Sequence, residues 1–266
     1  MNRSFGLIVI GDEILSGKRA DAHLSKVIEL LAARGLQLSW ASYVGDVPAQ
    51  ITTTLARVFA SSDVVFSTGG IGATPDDHTR QCAATALGVP LVLHPQAEQL
   101  IRERMEDTAR EQGTVYEPDR PDNVHRLNMA MFPQGATIIR NPYNKIPGFS
   151  VGDVHFVPGF PVMAWPMLES VLDERYADLF LQHRQKELSV IVYGAMESAL
   201  APLMEAVEHN YPGIKVFSLP SVAHPEHGKH IELGVKGKPS HLQSAYAYLI
   251  EGLHECGMVL GPELVR

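Results

Sequence analysis

"DVVFSTGGIGATPDDHT", residues 63–79, decides how this chain is read. Its first six residues form an apolar, β-prone run, and a helical pattern picks up from about residue 77. Between them Gly69, Gly70 and Gly72 fall within four positions, and Asp76 and Asp77 come almost at once after them. Glycines at a strand-to-helix turn leave backbone N–H groups free to meet a phosphate or another oxyanion. The spacing is not that of a P-loop, since no Gly-Lys-Ser/Thr comes next, and it is not G-x-G-x-x-G. A tight turn that needs glycine for geometry alone is the competing explanation. The aspartates pose a second choice. Either one caps the next helix at its positive end, or the pair helps hold a cation that a phosphate also touches.

Working outward, the same alternation repeats. Strands are expected at 5–11, 38–46, 63–68, 136–141 and 154–159, and helices from about 21, 48, 77, 96, 121 and 161. "FGLIVIG" (5–11) is apolar throughout, as a strand covered on both faces should be. This predicts an α/β domain with a mostly parallel sheet between helical layers, whose ligands sit at the carboxyl ends of the strands. Turn-rich segments come after the strands at 11–21, 45–46, 68–77, 141–149 and 158–161. Together they bring five carboxylates, Asp12, Glu13, Asp46, Asp76 and Asp77, toward one edge. That set suits Mg²⁺ or a similar hard cation bridging protein to phosphate. Lys18 and Lys145 are candidate phosphate neighbours, whereas Arg80, on a helix, reads as a solvated surface charge.

The composition changes after "LQHRQKE" (181–187). Strands at 188–194, 214–220 and 229–237 with helices at about 197–210 and 240–256 predict a small α+β domain, giving domains at 1–182 and 183–266. His224, His227 and His230 fall in a loop and strand start there without zinc spacing, and read as adventitious. The formal charge of −8 argues against a nucleic-acid surface. No apolar run approaches the roughly 18 residues of a membrane span, and the start of the chain reads as a strand rather than a signal peptide. The two cysteines, Cys82 and Cys256, form no metal spacing, so a reducing cytoplasm is expected.

"GDEILSG" (11–17) with Asp21, "VGD" (44–46), "TGGIGATPDDHT" (68–79), "NPYNKIPGF" (141–149) and "PGFP" (158–161) together resemble the molybdopterin-binding (MoaB/Mog-like) fold family. Within it, the chain is similar to the amino-terminal part of the competence/damage-inducible CinA proteins, and the small domain resembles the KH-like appendage of that subgroup. The resemblance implies a three-layer α/β/α domain that binds molybdopterin or a nucleotide phosphate. In the CinA-like branch it implies cleavage of the pyrophosphate of ADP-ribose or a related dinucleotide with Mg²⁺, Mn²⁺ or Co²⁺. In the molybdopterin branch it implies a binding module. Asp46 and Asp77 are then the catalytic acids, with Asp12, Glu13, Asp76 and Asp77 toward the metal. Gly11, Thr68, Gly69, Gly70, Gly72, Thr74, Asn141, Lys145, Gly148, Pro158 and Gly159 line the ligand. A homo-oligomer is expected by analogy. The match does not extend to the deamidase region of longer relatives, so nicotinamide mononucleotide is not an expected substrate. Ala73 stands where proline is common, His23 where asparagine is, Asn144 for a glycine and Ile146 for an alanine. The last two predict a narrower pocket or a changed specificity.

Overall fold

The computed structural model describes residues 3–180, 186–237 and 239–265. The chain divides into two compact units, 1–180 and 181–266. Residues 181–185 of the polar junction lie outside the described residues.

In the first unit β1 (Phe5–Ile10), β2 (Leu38–Val44), β3 (Val64–Thr68) and β8 (Val154–Val157) pair in parallel. An antiparallel hairpin, β7 (Gly148–Val151) and β6 (Thr137–Ile139), extends the sheet, whose order is β2-β1-β3-β8-β7-β6. The mostly parallel α/β sheet expected from the sequence is therefore present.

Its middle position comes from strand periodicity, since successive side chains face opposite sides. Phe5, Leu7 and Val9 pack with Val64 and Phe66 on one face, covered by α2 (His23–Ala33) and α7 (Pro161–Arg175). Ile8, Ile10 and Val65 face the other side, covered by α3 (Pro48–Phe59), α4 (Thr79–Leu87) and α5 (Pro95–Glu111). Proline stands at the first position of α3, α5 and α7, where its missing N–H costs nothing.

Three elements depart from the sequence reading. The segment 141–149 ends not as a turn but by entering β7, where a Cβ on Gly148 would lie 2.3 Å from the Phe156 carbonyl oxygen. Short β4 (Leu91–Leu93) and β5 (Met131–Pro133) pair with each other beside the main sheet. The helix expected from about 161 stops at Arg175, where Tyr176 leaves helical geometry with a φ of −131°.

The second unit runs β9 (Lys186–Tyr193), α8 (Glu197–Asn210), β10 (Lys215–His224), β11 (Gly228–Gly237), α9 (Pro239–Glu255) and β12 (Val259–Val265). Its antiparallel sheet has the order β10-β11-β9-β12, the split βαβ pattern. The fourth strand was not legible, because Gly261 and Pro262 interrupt it and its register shifts between Leu260 and Glu263. No helix among the described residues is long and apolar enough to cross a membrane.

A polar chain closes the edge of the sheet away from the strand carboxyl ends. His155, fully buried, bonds Ser150 Oγ at 2.8 Å and the Tyr176 hydroxyl at 2.7 Å. That hydroxyl donates to Asp153 at 2.8 Å, and Arg3 pairs with the same carboxylate. Burial, with Arg175 nearby, pushes the His155 ring down to about 3. The unfolded ring titrates near 6.5, so the folded state prefers neutral imidazole. Its stabilisation is present above pH ~6.5 and is lost as pH falls toward that depressed value. Acid titration of the unfolding midpoint should show this loss. Tyr176→Phe strands a buried imidazole nitrogen, and urea unfolding of the first unit should show a cost of about 1–3 kcal/mol.

Candidate functional site

The chain passes from β1 to β2 on one side and then crosses back to β3 on the other. The strand order therefore reverses between β1 and β3, and a crevice opens outside their carboxyl ends. The loops at 11–21, 45–47, 69–78 and 158–160 leave this edge, and so does the 140–147 connection, since β6 runs in the same direction as β8.

One wall is acidic. The Asp12 N–H donates to Asp46 Oδ2 at 2.8 Å and the Asp46 N–H to Asp12 Oδ1 at 3.2 Å, a reciprocal clasp across the ends of β1 and β2. Gly45 permits it, since a Cβ there would lie 2.5 Å from Asp12 Oδ1. Each aspartate keeps one carboxylate oxygen out of the clasp. Asp12, Glu13, Asp46 and Asp76 line one open cleft of about 650 Å³ with Leu15, Ser16 and Lys18. Burial, aided by Asp12, Glu13 and Asp76, holds the Asp46 carboxyl above the usual range. Behind this wall Asp21 accepts the N–H groups of His23 and Leu24 and the Tyr43 hydroxyl, fixing the start of α2 to β2. His23 Nε2 donates to the Gly159 carbonyl at 3.0 Å.

The other wall is the glycine loop. Gly69 and Gly70 have φ of 96° and 68°, the left-handed region. The loop's carbonyls are held from behind. Thr79 bonds those of Gly69 and Gly70 through its hydroxyl and N–H, Arg80 donates to Gly72 at 2.6 Å, and His125 reaches Ala73 at 2.9 Å. Among the described residues no acceptor takes the N–H of Gly70, Ile71, Gly72 or Ala73. Arg80 corrects the sequence reading. It is 3% exposed, bonds Asn128 as well, and is pushed down to about 10 by burial. Nothing in its sequence context signals this role.

The two aspartates after the loop separate. Asp77 Oδ2 accepts the Thr74 N–H at 2.8 Å and the Thr74 hydroxyl at 2.5 Å, so it closes the loop, while Asp76 lines the cleft. Thr68 is buried at the end of β3. Pro158 and Gly159 form the turn into α7, and a Cβ on Gly159 would sit 3.4 Å from the Gly69 Cα. Gly11, with φ of 153°, opens the first loop.

The segment 141–147 is pinned to itself and to α5. Asn141, 4% exposed, bonds the Asn144 side chain, the Ile146 carbonyl and the Tyr143 N–H. Lys145, at a φ of 64°, pairs with Asp107 at 2.5 Å. Ile146 packs against the core. Of the residues expected at the ligand, Asn141 bonds within this loop, Lys145 pairs with Asp107 of α5, and Gly148 lies in β7. Asn144 also bonds the Met163 sulfur of α7 at 3.3 Å.

Residues 6–178 match the family described as a probable molybdopterin binding domain. The chain belongs to that family. It is 31% identical over 221 residues to a CinA-like protein of Syntrophotalea carbinolica, covering 78% of this chain and 51% of that one. The identity to a protein of Aeropyrum pernix is 29% over 254 residues, 94% of this chain and 90% of that one. A crystal structure of CinA from Thermoplasma acidophilum superimposes with a TM-score of 0.54 at 26% identity, covering 65% of this chain and 97% of that one. The chain spans about half the length, or less, of the CinA-like relatives it matches, 51% and 37% of two of them.

The donor set of this molybdopterin-binding domain suits a hard cation of one kind. Among the described residues no three His, Cys, Asp or Glu form a ready-made metal cage. Mg²⁺ does not need one, since it keeps several waters and takes one or two carboxylates plus phosphate oxygens. The unclasped oxygen of Asp12, with the carboxylate of Glu13 or Asp76 on the same cleft, would supply that number.

Gly69→Ala tests the loop. Its Cβ would lie 2.2 Å from the Ile10 carbonyl oxygen, whereas Gly88, with φ of 67°, has nothing within 4 Å of an added Cβ. Gly88→Ala should cost about 1 kcal/mol of backbone strain. Gly69→Ala should cost clearly more, and parallel thermal melts compare the two.

Proposed function

We propose that this cleft binds the diphosphate of a nucleotide or pterin phosphate together with a divalent cation, and cleaves the pyrophosphate bond of ADP-ribose or a related dinucleotide. One observation carries the reading. A glycine loop with its carbonyls held from behind, and with four amides that no acceptor takes among the described residues, leaves the same sheet edge as a clasp of carboxylates, each with an oxygen to spare. Phosphate alone would be repelled by the acids, and a cation alone would leave the amides unused.

In this reading the amides of Gly70, Ile71, Gly72 and Ala73 take phosphate oxygens and stabilise the charge that grows on the transferred phosphoryl group. Ala73, where proline is common, adds a donor to that row. Asp46, whose carboxyl burial holds above the usual range, orients a water for attack with its unclasped oxygen and takes its proton. Asp12 with Glu13 or Asp76 would hold Mg²⁺, Mn²⁺ or Co²⁺, which would supply charge neutralisation for the phosphates. Water adds to one phosphorus, the bridging oxygen leaves with the other, and the products are AMP and ribose 5-phosphate.

A second reading is a molybdopterin or nucleotide binding module without turnover. It is favoured by the assignment of Asp77 to closing the loop rather than to the cleft.

Incubation with ADP-ribose and each metal separates the two. The enzyme releases AMP, and Asp46→Asn lowers the rate about 100-fold or more with the fold intact. Absence of AMP release for any dinucleotide and any metal sinks the catalytic reading. Both readings expect coupled binding. Calorimetry should find metal and nucleotide each weak alone and at least about tenfold tighter together.

A further inference from the structure

The second unit brings together three histidines that the sequence separates by two residues each. The ring centres of His224 and His227 lie 5.0 Å apart, those of His224 and His230 5.3 Å, and those of His227 and His230 5.6 Å. They sit where β10 turns into β11. His224 pairs with Gly228 across the hairpin, and His230 pairs with Tyr193 of β9.

That spacing has a chemical meaning. An imidazole nitrogen binds Zn²⁺ at about 2.0–2.1 Å, and the ring centre lies about 1.1 Å further out. Three imidazoles on one tetrahedral ion therefore hold their ring centres roughly 5 Å apart. The observed triangle matches. The rings differ from a bound set in aim, since one pair is stacked and two are edge-on, and no cage exists among the described residues. Aim is the cheaper quantity to change. A histidine ring turns about its Cβ–Cγ bond in a broad torsional well, and that axis runs through the ring centre, so the triangle survives the turn.

The hydrogen bonds hold the three rings at the turn. His230 Nδ1 donates to the Gly228 carbonyl at 3.0 Å, which leaves Nε2 with its lone pair. His224 Nδ1 accepts the N–H groups of Glu226 and His227, both at 3.3 Å, which puts its proton on Nε2, so ligation by this ring exchanges these two long bonds for the bond to the ion. His227 Nδ1 meets the Tyr193 hydroxyl at 3.2 Å, the kind of outer partner that fixes a ligating ring. Glu226 Oε2 lies 4.0 Å from His227 Nε2, a carboxylate within reach of a fourth position. Lys229 is the neighbouring cation that opposes binding.

We propose that His224, His227 and His230 form a site for a nitrogen-preferring divalent ion, Zn²⁺ or its near relatives Ni²⁺ and Co²⁺, that staples the β10–β11 hairpin. It is separate from the oxygen-lined cleft of the first unit, which suits Mg²⁺ by ligand type. The ion bridges three residues at the hairpin and stabilises the second unit by mass action.

Zn²⁺ is titrated by calorimetry into the full chain and into three variants. The wild type is expected to take one Zn²⁺ at the hairpin, with the ring signals of these three histidines shifting together in NMR spectra. His227→Ala keeps the bonds of His224 and His230 to the turn, so its fold should survive, and it should lose the binding. Tyr193→Phe should weaken it about tenfold, while Asp46→Asn should leave it unchanged. The proposal is overturned if the three rings of the wild type do not respond to Zn²⁺, if His227→Ala binds as the wild type does, or if binding disappears in Asp46→Asn. The wild-type ring signals decide the matter even if a variant fails to fold.

Discussion

Three strand ends meet at Gly69. Its N–H donates to the Val157 carbonyl of β8 at 3.0 Å, a Cβ on it would strike the Ile10 carbonyl of β1, and Gly159 presses in from the far side. Only a residue without a side chain, at positive φ, can stand there. This contact fixes how close the glycine loop comes to β1, and hence to Asp12. The crevice at the reversal of strand order is a property of the topology, but its width is set by this approach. A side chain at 69 would push the loop away from the acids it faces.

The two walls also divide the charge. Arg80 is buried behind the loop, and its guanidinium donates to backbone carbonyls at Gly72 and Asn128. Its positive charge therefore polarises the loop toward its free amides, and Asp77 in the loop keeps some of the cost in check. Across the crevice Asp12, Glu13, Asp46 and Asp76 concentrate negative charge on a chain that is already acidic. Such crowding is unfavourable unless something neutralises it, and it adds to the burial that raises Asp46. A ligand with phosphate on one side and a cation on the other satisfies both walls at once.

The sheet and the acid positions were legible because they obey periodicity. The runs 5–11 and 63–68 carry apolar residues at nearly every position, and a strand buried on both faces needs that. What escaped depends on contacts between distant parts of the chain. Lys145 looked like a phosphate ligand because prolines and a glycine pin its loop, yet its ammonium answers to Asp107 on α5, 38 residues away in sequence. β7 was hidden by Gly148, which reads as a turn residue until the Phe156 carbonyl is seen against it. β12 was hidden by a proline that an edge strand tolerates. The histidine triangle spans a hairpin, and no spacing rule covers a turn that folds three side chains together.

Asp76 and Asp77 show the limit most directly. Adjacent residues in a turn point in different directions, so a pair of identical side chains carries no label for which one does which task. The resemblance alone assigns both to the metal. The bonds divide the pair differently. The Thr74 N–H and hydroxyl both fall on Asp77, because Thr74, Pro75 and Asp76 complete a turn closed by the Asp77 N–H on the Thr74 carbonyl at 3.0 Å. Closing that turn projects Asp76 outward into the cleft. The loop is kept rigid by one aspartate so that the other can face a ligand. Their adjacency is therefore a consequence of turn geometry.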